Sequence, residues 1–202
     1  MIIIGLCGNS GSGKGTVCKS FLRFGIPSID ADALYRELTA SGADLNVTLS
    51  EYFGKEILND DGSLNRSVLS KIVFSDETGE LLKKLNRITH SRIIDETENR
   101  IKNFKINGER AVIFDAPLLF ESGFDKKCDI IITVIANAED KIKRIMQRDD
   151  IDFSRASARI NSQLEEKYLV ERSNYVIKNV GDVNDIDLQV EKIIKNIFNC
   201  EV

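Results

Sequence analysis

One short stretch near the N-terminus limits the fold more than any other. Gly8-Asn9-Ser10-Gly11-Ser12-Gly13-Lys14-Gly15-Thr16 follows the apolar run Ile2 to Cys7 and precedes a helical stripe of Val17, Phe21, Leu22 and Phe24. A continuous apolar run that ends at glycine reads as a strand buried on both faces. A glycine-rich turn from such a strand into a helix lets consecutive backbone N–H groups face inward around phosphate oxygens. The helix N-terminus adds partial positive charge there and Lys14 a full one. The bland alternative, a plain Gly/Ser connection, does not account for a lysine at the helix entrance. After the stop at Gly25, Ile26 to Ile29 reads as a second strand, which completes a βαβ unit.

From about Asp32 to Gly108 helical periodicity with many charges takes over, broken by a glycine-bearing turn region between Phe53 and Gly62. This segment reads as a helical insertion. Leu81, Leu82, Leu85, Ile88, Ile93, Ile94 and Ile101 predict one or two long helices between Thr78 and Ile106. Buried-strand runs resume at Ala111 to Phe114 and Ile130 to Ile135, followed by a predicted helix from Ala138 to about Arg148. Tyr175 to Ile177 suits a further short strand, and Val183 to Phe198 a last helix. Strands alternating with helices imply an α/β fold with a parallel sheet flanked by helices.

At 202 residues the chain suits one domain with insertions. Its formal charge of −4 lacks the overall basic footprint of a dedicated nucleic-acid or anionic-membrane binder, so any basic site must be local. No apolar run approaches the ~18 residues of a membrane span, and neither a nucleic acid nor a membrane is expected as partner. Cys7, Cys18, Cys128 and Cys200 form no Cys-x-x-Cys pair, so a reducing, cytoplasmic setting is expected. His90 is the only histidine, which excludes a serine triad or a histidine-rich zinc site.

Further candidates lie where open α/β sheets bind ligands, beyond the carboxyl ends of strands. Asp30 and Asp32 close the second strand; were it to stay extended, both carboxylates would share one face, while either could instead cap the following helix. Asp115 ends Ala-Val-Ile-Phe-Asp, where phosphate-loop proteins hold Mg²⁺, often through water, though a turn role also fits. Arg144 with Arg148, and Arg155 with Arg159, fall at i,i+4 spacing and suit a triphosphate clamp. Asp149, Asp150 and Asp152 nearby allow a solvated face instead.

The Gly-Lys-Gly-Thr ending resembles the loop of nucleoside monophosphate kinases. Over nearly its full length the chain resembles the dephospho-CoA kinase family. The matches are the P-loop, Ile29-Asp30-Ala31-Asp32 with Arg36, Phe53-Gly54, Asp61 to Leu69, and Leu85-Asn86 to His90. They continue through Pro117 to Gly123, Arg144 with Arg148, Arg159 with Gln163, and Asn179-Val180-Gly181. The resemblance implies a P-loop NTPase fold that transfers the ATP γ-phosphate to the 3′-hydroxyl of dephospho-CoA. It implies a nucleotide-binding core of residues 1–35, 109–145 and 173–202, a helical acceptor domain of 36–108, and a lid of 146–172.

By the same resemblance Asp32 is the base, Arg36 and His90 place the acceptor, Arg148 is the lid arginine and Asn179 lies near adenine. Gly8 through Thr16, Val17 and Arg144 complete the ATP set, with Thr16 and Asp115 toward Mg²⁺. Two departures stand out: Gly15 replaces the usual Ser or Thr after the lysine, and Ser91 follows His90 where the family commonly has proline. The first leaves Mg²⁺ ligation by Thr16 open. A different small-molecule kinase is the alternative enzyme. A GTPase switch is disfavoured, because no Asn-Lys-x-Asp occurs and Asp76-Glu77-Thr78-Gly79 falls inside the insertion. Oligomeric state is left open.

Overall fold

A computed structural model describes residues 1–199; Cys200 lies outside the described residues. By internal contacts the chain divides into two compact units, Met1–Ile29 together with the chain from Phe104 on, and Asp30–Asn103.

The first unit is built on a sheet of five strands, β1 (Ile2–Cys7), β2 (Ser28–Asp30), β3 (Ala111–Asp115), β4 (Ile130–Ile135) and β5 (Tyr175–Lys178), in the order β2-β3-β1-β4-β5. The pairings β1–β3, β1–β4 and β4–β5 are parallel. β1 is the central strand, and its neighbours come from later in the chain on both sides. The loop that leaves its carboxyl end therefore stands at the point where the strand order reverses, the place where such sheets bind ligands. The second strand starts two residues later than Ile26 and ends at Asp30, because Pro27 carries no N–H for a ladder.

Helix α1 (Lys14–Arg23) packs against α9 (Val183–Phe198). Ile4, Leu6, Phe21, Ile113, Ile132, Val134, Ile177, Ile186 and Val190 make one continuous core between sheet and helices. At about 1.5–3 kcal/mol for each large apolar side chain fully buried, this core fixes β1 and so the start of the loop. Asp187 ties the helix pair further by accepting from Ser20 Oγ and pairing with Arg23. Three more helices follow β4: α6 (Ala138–Asp149), α7 (Phe153–Asn161) and α8 (Glu166–Glu171).

The second unit holds α2 (Ala31–Leu38), α3 (Asp44–Phe53), α4 (Arg66–Phe74) and most of α5 (Glu80–Ile106), a single helix over the long periodic segment. Leu45, Leu49, Phe53, Ile57, Leu69 and Val73 form its own core, with Leu81, Leu82, Leu85 and Ile88 packed against it. Among the described residues no helix is long and apolar enough to cross a membrane.

Candidate active site

The loop between β1 and α1 is shaped by two kinds of constraint. The first is local: Gly13 caps α1 with φ +94, and Gly11 has φ +78, backbone conformations that L side chains resist. At Gly11 an added Cβ would also lie 2.5 Å from the carbonyl oxygen of Lys141, and at Gly13 2.0 Å from Nδ2 of Asn179. Gly15 differs, since nothing lies within 4 Å of its Cβ position and its φ is not positive.

The second constraint is long-range. Asn9 Nδ2 donates to the Leu164 carbonyl (3.3 Å) and Ser10 N to Gln163 Oε1 (2.8 Å). Arg144 Nη1 donates to the Gly11 carbonyl (3.0 Å) and Asn179 Nδ2 to the Ser12 carbonyl (2.8 Å). Four consecutive loop residues are thus pinned by partners more than 130 positions away.

The loop presents the chemistry its composition implies. Helix α1 begins at Lys14 with no side-chain cap and no acidic residue in its first turn, so its N-terminal dipole is unneutralised by the chain itself. Lys14 Nζ lies 3.1 Å from the Gly8 carbonyl oxygen, folded back along the loop. Ser12 Oγ is fully buried with no hydrogen-bond partner among the described residues. Uncapped N–H groups, a lysine and an unmatched hydroxyl are the donors that polyphosphate oxygens would take.

Asp115 ends β3, one strand from β1 in register with Leu6. Its Oδ2 accepts a weak hydrogen bond from the Cys18 thiol (3.6 Å). Burial, reinforced by the Asp115 charge, pushes the Cys18 thiol far above its ordinary range, so Cys18 stays protonated as the donor. Thr16 is half-buried in the first turn of α1. Among the described residues no group of three or more His, Cys, Asp or Glu side chains could enclose a metal ion. One carboxylate and one hydroxyl suit Mg²⁺, which keeps most of its waters and takes the rest of its ligands from substrate phosphates.

Of the two readings open for Asp30-Ala31-Asp32, extended strand or helix cap, the structure has the cap. Asp30 is the N-cap of α2, its Oδ1 accepting from Ala33 N at 2.9 Å, so the chain turns into a helix one residue after it. Asp32 stands exposed in the first helical turn, and Arg36, also exposed, follows four residues on. His90 is half-buried on α5, and desolvation lowers its pKa below the usual 6.5, which leaves the ring neutral at pH 7.

The four arginines have different partners. Arg144, on α6, donates to the loop at Gly11. Arg148 grips Asp149 in bidentate fashion (2.8 and 2.9 Å), and Arg159 pairs with the same carboxylate. Arg155 lies 4.0 Å from Asp152. Hydrogen bonding from Arg148 holds the Asp149 carboxyl below its ordinary range. Asn179, expected near adenine, is buried and spends its amide on the Ser12 carbonyl.

Sequence reasoning missed Lys141. It is only 6% exposed, and its ammonium pairs with Glu166 at 2.8 Å while its backbone bears on Gly11. The signal was present, since Lys141 shares the inward face of α6 with Ile145 at i,i+4 spacing. Gln163 enters the sequence pattern only beside Arg159, which assigns it no role.

The family model described as dephospho-CoA kinase matches residues 2–185. A dephospho-CoA kinase of Listeria innocua is 39% identical over 196 residues, covering 97% of each chain. One of Corynebacterium glutamicum is 35% identical over 98% of this chain and the whole of that protein. Among solved structures, a Thermus thermophilus protein superposes with a TM-score of 0.82 at 28% identity, covering 97% of both chains. The dephospho-CoA kinase from Campylobacter jejuni does so at 0.69 and 26%, covering 96% of both. A shikimate kinase from Acinetobacter baumannii, at 0.58 and 17% identity over 98% of this chain and 94% of that one, shares the fold.

Proposed function

Because the chain belongs to the dephospho-CoA kinase family, which passes the γ-phosphate of ATP to the 3′-hydroxyl of dephospho-CoA in the last step of coenzyme A synthesis, we propose how its own residues share that reaction. The observation that carries the reading is the loop itself, an uncapped helix N-terminus with Lys14 at the switch point of the sheet. Residues Gly8 to Val17 with Arg144 bind the ATP phosphates, and Asn179 borders the adenine side. Lys14 offsets the charge on the β- and γ-phosphates.

Residues 36–108 form the acceptor domain, a reading supported by the separate compact unit Asp30–Asn103 with its own core. Arg36 and His90 orient dephospho-CoA there, His90 as a neutral ring that accepts or donates one hydrogen bond. Asp32 takes the proton of the 3′-hydroxyl as that oxygen bonds to the γ-phosphorus and the bond to the β-phosphate oxygen breaks, releasing ADP. Residues 146–172 act as the lid, and Arg148 meets the transferring phosphoryl group when it closes. Thr16 and Asp115 would hold Mg²⁺, which when bound would neutralise phosphate charge. Three free cysteines, Cys7, Cys18 and Cys128, suit a reducing compartment, and the cytoplasm is the proposed location.

A coupled assay of ADP release against dephospho-CoA, AMP and CMP tests the acceptor. Turnover is expected with dephospho-CoA alone. Comparable kcat/KM on a nucleoside monophosphate would overturn the reading.

A further inference from the structure

A ring of backbone N–H groups holds phosphate only while successive peptide planes keep their orientation. A chain of alternating glycine and serine has little intrinsic preference to do so, and the planes here are set from outside. Three of the four long-range ties on residues 9–12 use a carbonyl oxygen or the Asn9 side chain; the tie at Ser10 alone grips a loop N–H.

We propose that Gln163 is a positioning residue for the ATP phosphate loop, its Oε1 fixing the Ser10 peptide and so the entrance to the nest. The link that bears it, residues 162–165 between α7 and α8, is itself anchored on both flanks. Leu164 accepts from Asn9, giving two adjacent ties that run in opposite chain directions, 9 to 164 and 10 to 163. Glu166 pairs with the buried Lys141, whose backbone Gly11 touches. Gln163 also follows Arg159 by four residues, so the ordering of α7 and the setting of the loop share one link.

This inference rests on reading the loop as the ATP site, and the test separates the two. Gln163→Met keeps the length and removes the acceptor; Gln163→Glu keeps an acceptor oxygen. Loss of one such hydrogen bond is expected to weaken equilibrium ATP binding by Gln163→Met about fivefold, with the dephospho-CoA KM changed less than about twofold. Hydrogen exchange of the Ser10 amide, measured without ATP, should quicken in Gln163→Met and return toward the wild-type rate in Gln163→Glu. Wild-type ATP affinity in Gln163→Met overturns the proposal. So does equal loss toward both substrates with a lowered Tm and no recovery of Ser10 protection in Gln163→Glu, the pattern of a merely structural residue. Lys14→Met run alongside decides which reading has failed: if it binds ATP as wild type does, the loop is not the phosphate site, and if it alone loses ATP, only the role of Gln163 falls.

Discussion

Position 15 carries glycine where a hydroxyl usually follows the loop lysine, yet its backbone gives no reason for glycine. With φ not positive and open space around the Cβ direction, Gly15→Ser is expected to keep turnover within about threefold and to lower the Mg²⁺ concentration needed for half-maximal rate, since a second hydroxyl joins Thr16 at the helix entrance. A Mg²⁺ titration of initial rates checks both. Gly11→Ser is the contrast, because there the φ of +78 and the Lys141 carbonyl oppose any side chain. A few residues along, Asp30 caps α2 while Asp32 stands exposed in its first turn. Asp32→Asn should bind both substrates and lose roughly 10²–10⁴ in turnover, the contribution of a positioned base. Asn at the α2 cap still accepts from Ala33, so Asp30→Asn should cost far less. Steady-state ADP release beside equilibrium binding distinguishes them; a dead Asp30→Asn with an active Asp32→Asn reverses the assignment.

At the scale of elements, α6 and α7 hold two guanidinium groups on one carboxylate, Arg148 and Arg159 on Asp149. Arg148→Ala is expected to cut kcat by tenfold or more, while the Kd for ATP and the KM for dephospho-CoA move less than about threefold, as for a group that meets phosphate in the closed state. Pre-steady-state ADP formation measures it, and a loss confined to acceptor affinity would move Arg148 elsewhere. The elements themselves were legible where an apolar run was continuous, as at β1 and β4, or a helical stripe ran long, as at α9. The α2 start was open between two readings, because a carboxylate after a strand supports either one more extended residue or a cap, and only the hydrogen bond to Ala33 decides. The partition of the arginines was illegible for another reason. Spacing gives a shared helix face but not which of several nearby carboxylates or carbonyls wins each side chain. The loop was legible as a glycine-bearing turn from strand into helix; its ties to Gln163, Leu164 and Lys141 were not, since no local pattern encodes a contact across 130 or more residues.

For the whole molecule, the half-buried ring of His90 predicts a pH dependence of stability. Burial lowers its folded pKa, so the unfolded chain takes up a proton at this ring first as pH falls through 6.5. The folded state then loses stability toward acid, and the contribution is fully present only above that pH. Tm should therefore decline less steeply between about pH 6.5 and 5 in His90→Gln than in the wild type, by the linkage of protonation to unfolding; identical slopes would mean the ring is not desolvated in solution. The central placement of β1 has a consequence for the order of assembly. The strand and its loop leave the ribosome before their partners, yet β1 finds its neighbours only when residues 111–115 and 130–135 have been made. The loop is pinned only once Arg144, Gln163, Leu164 and Asn179 have followed. Contacts of such sequence separation form late and slowly. A nascent or truncated chain that stops short of residue 179 therefore displays the whole glycine-rich motif without its shape, and the loop is set almost together with β5.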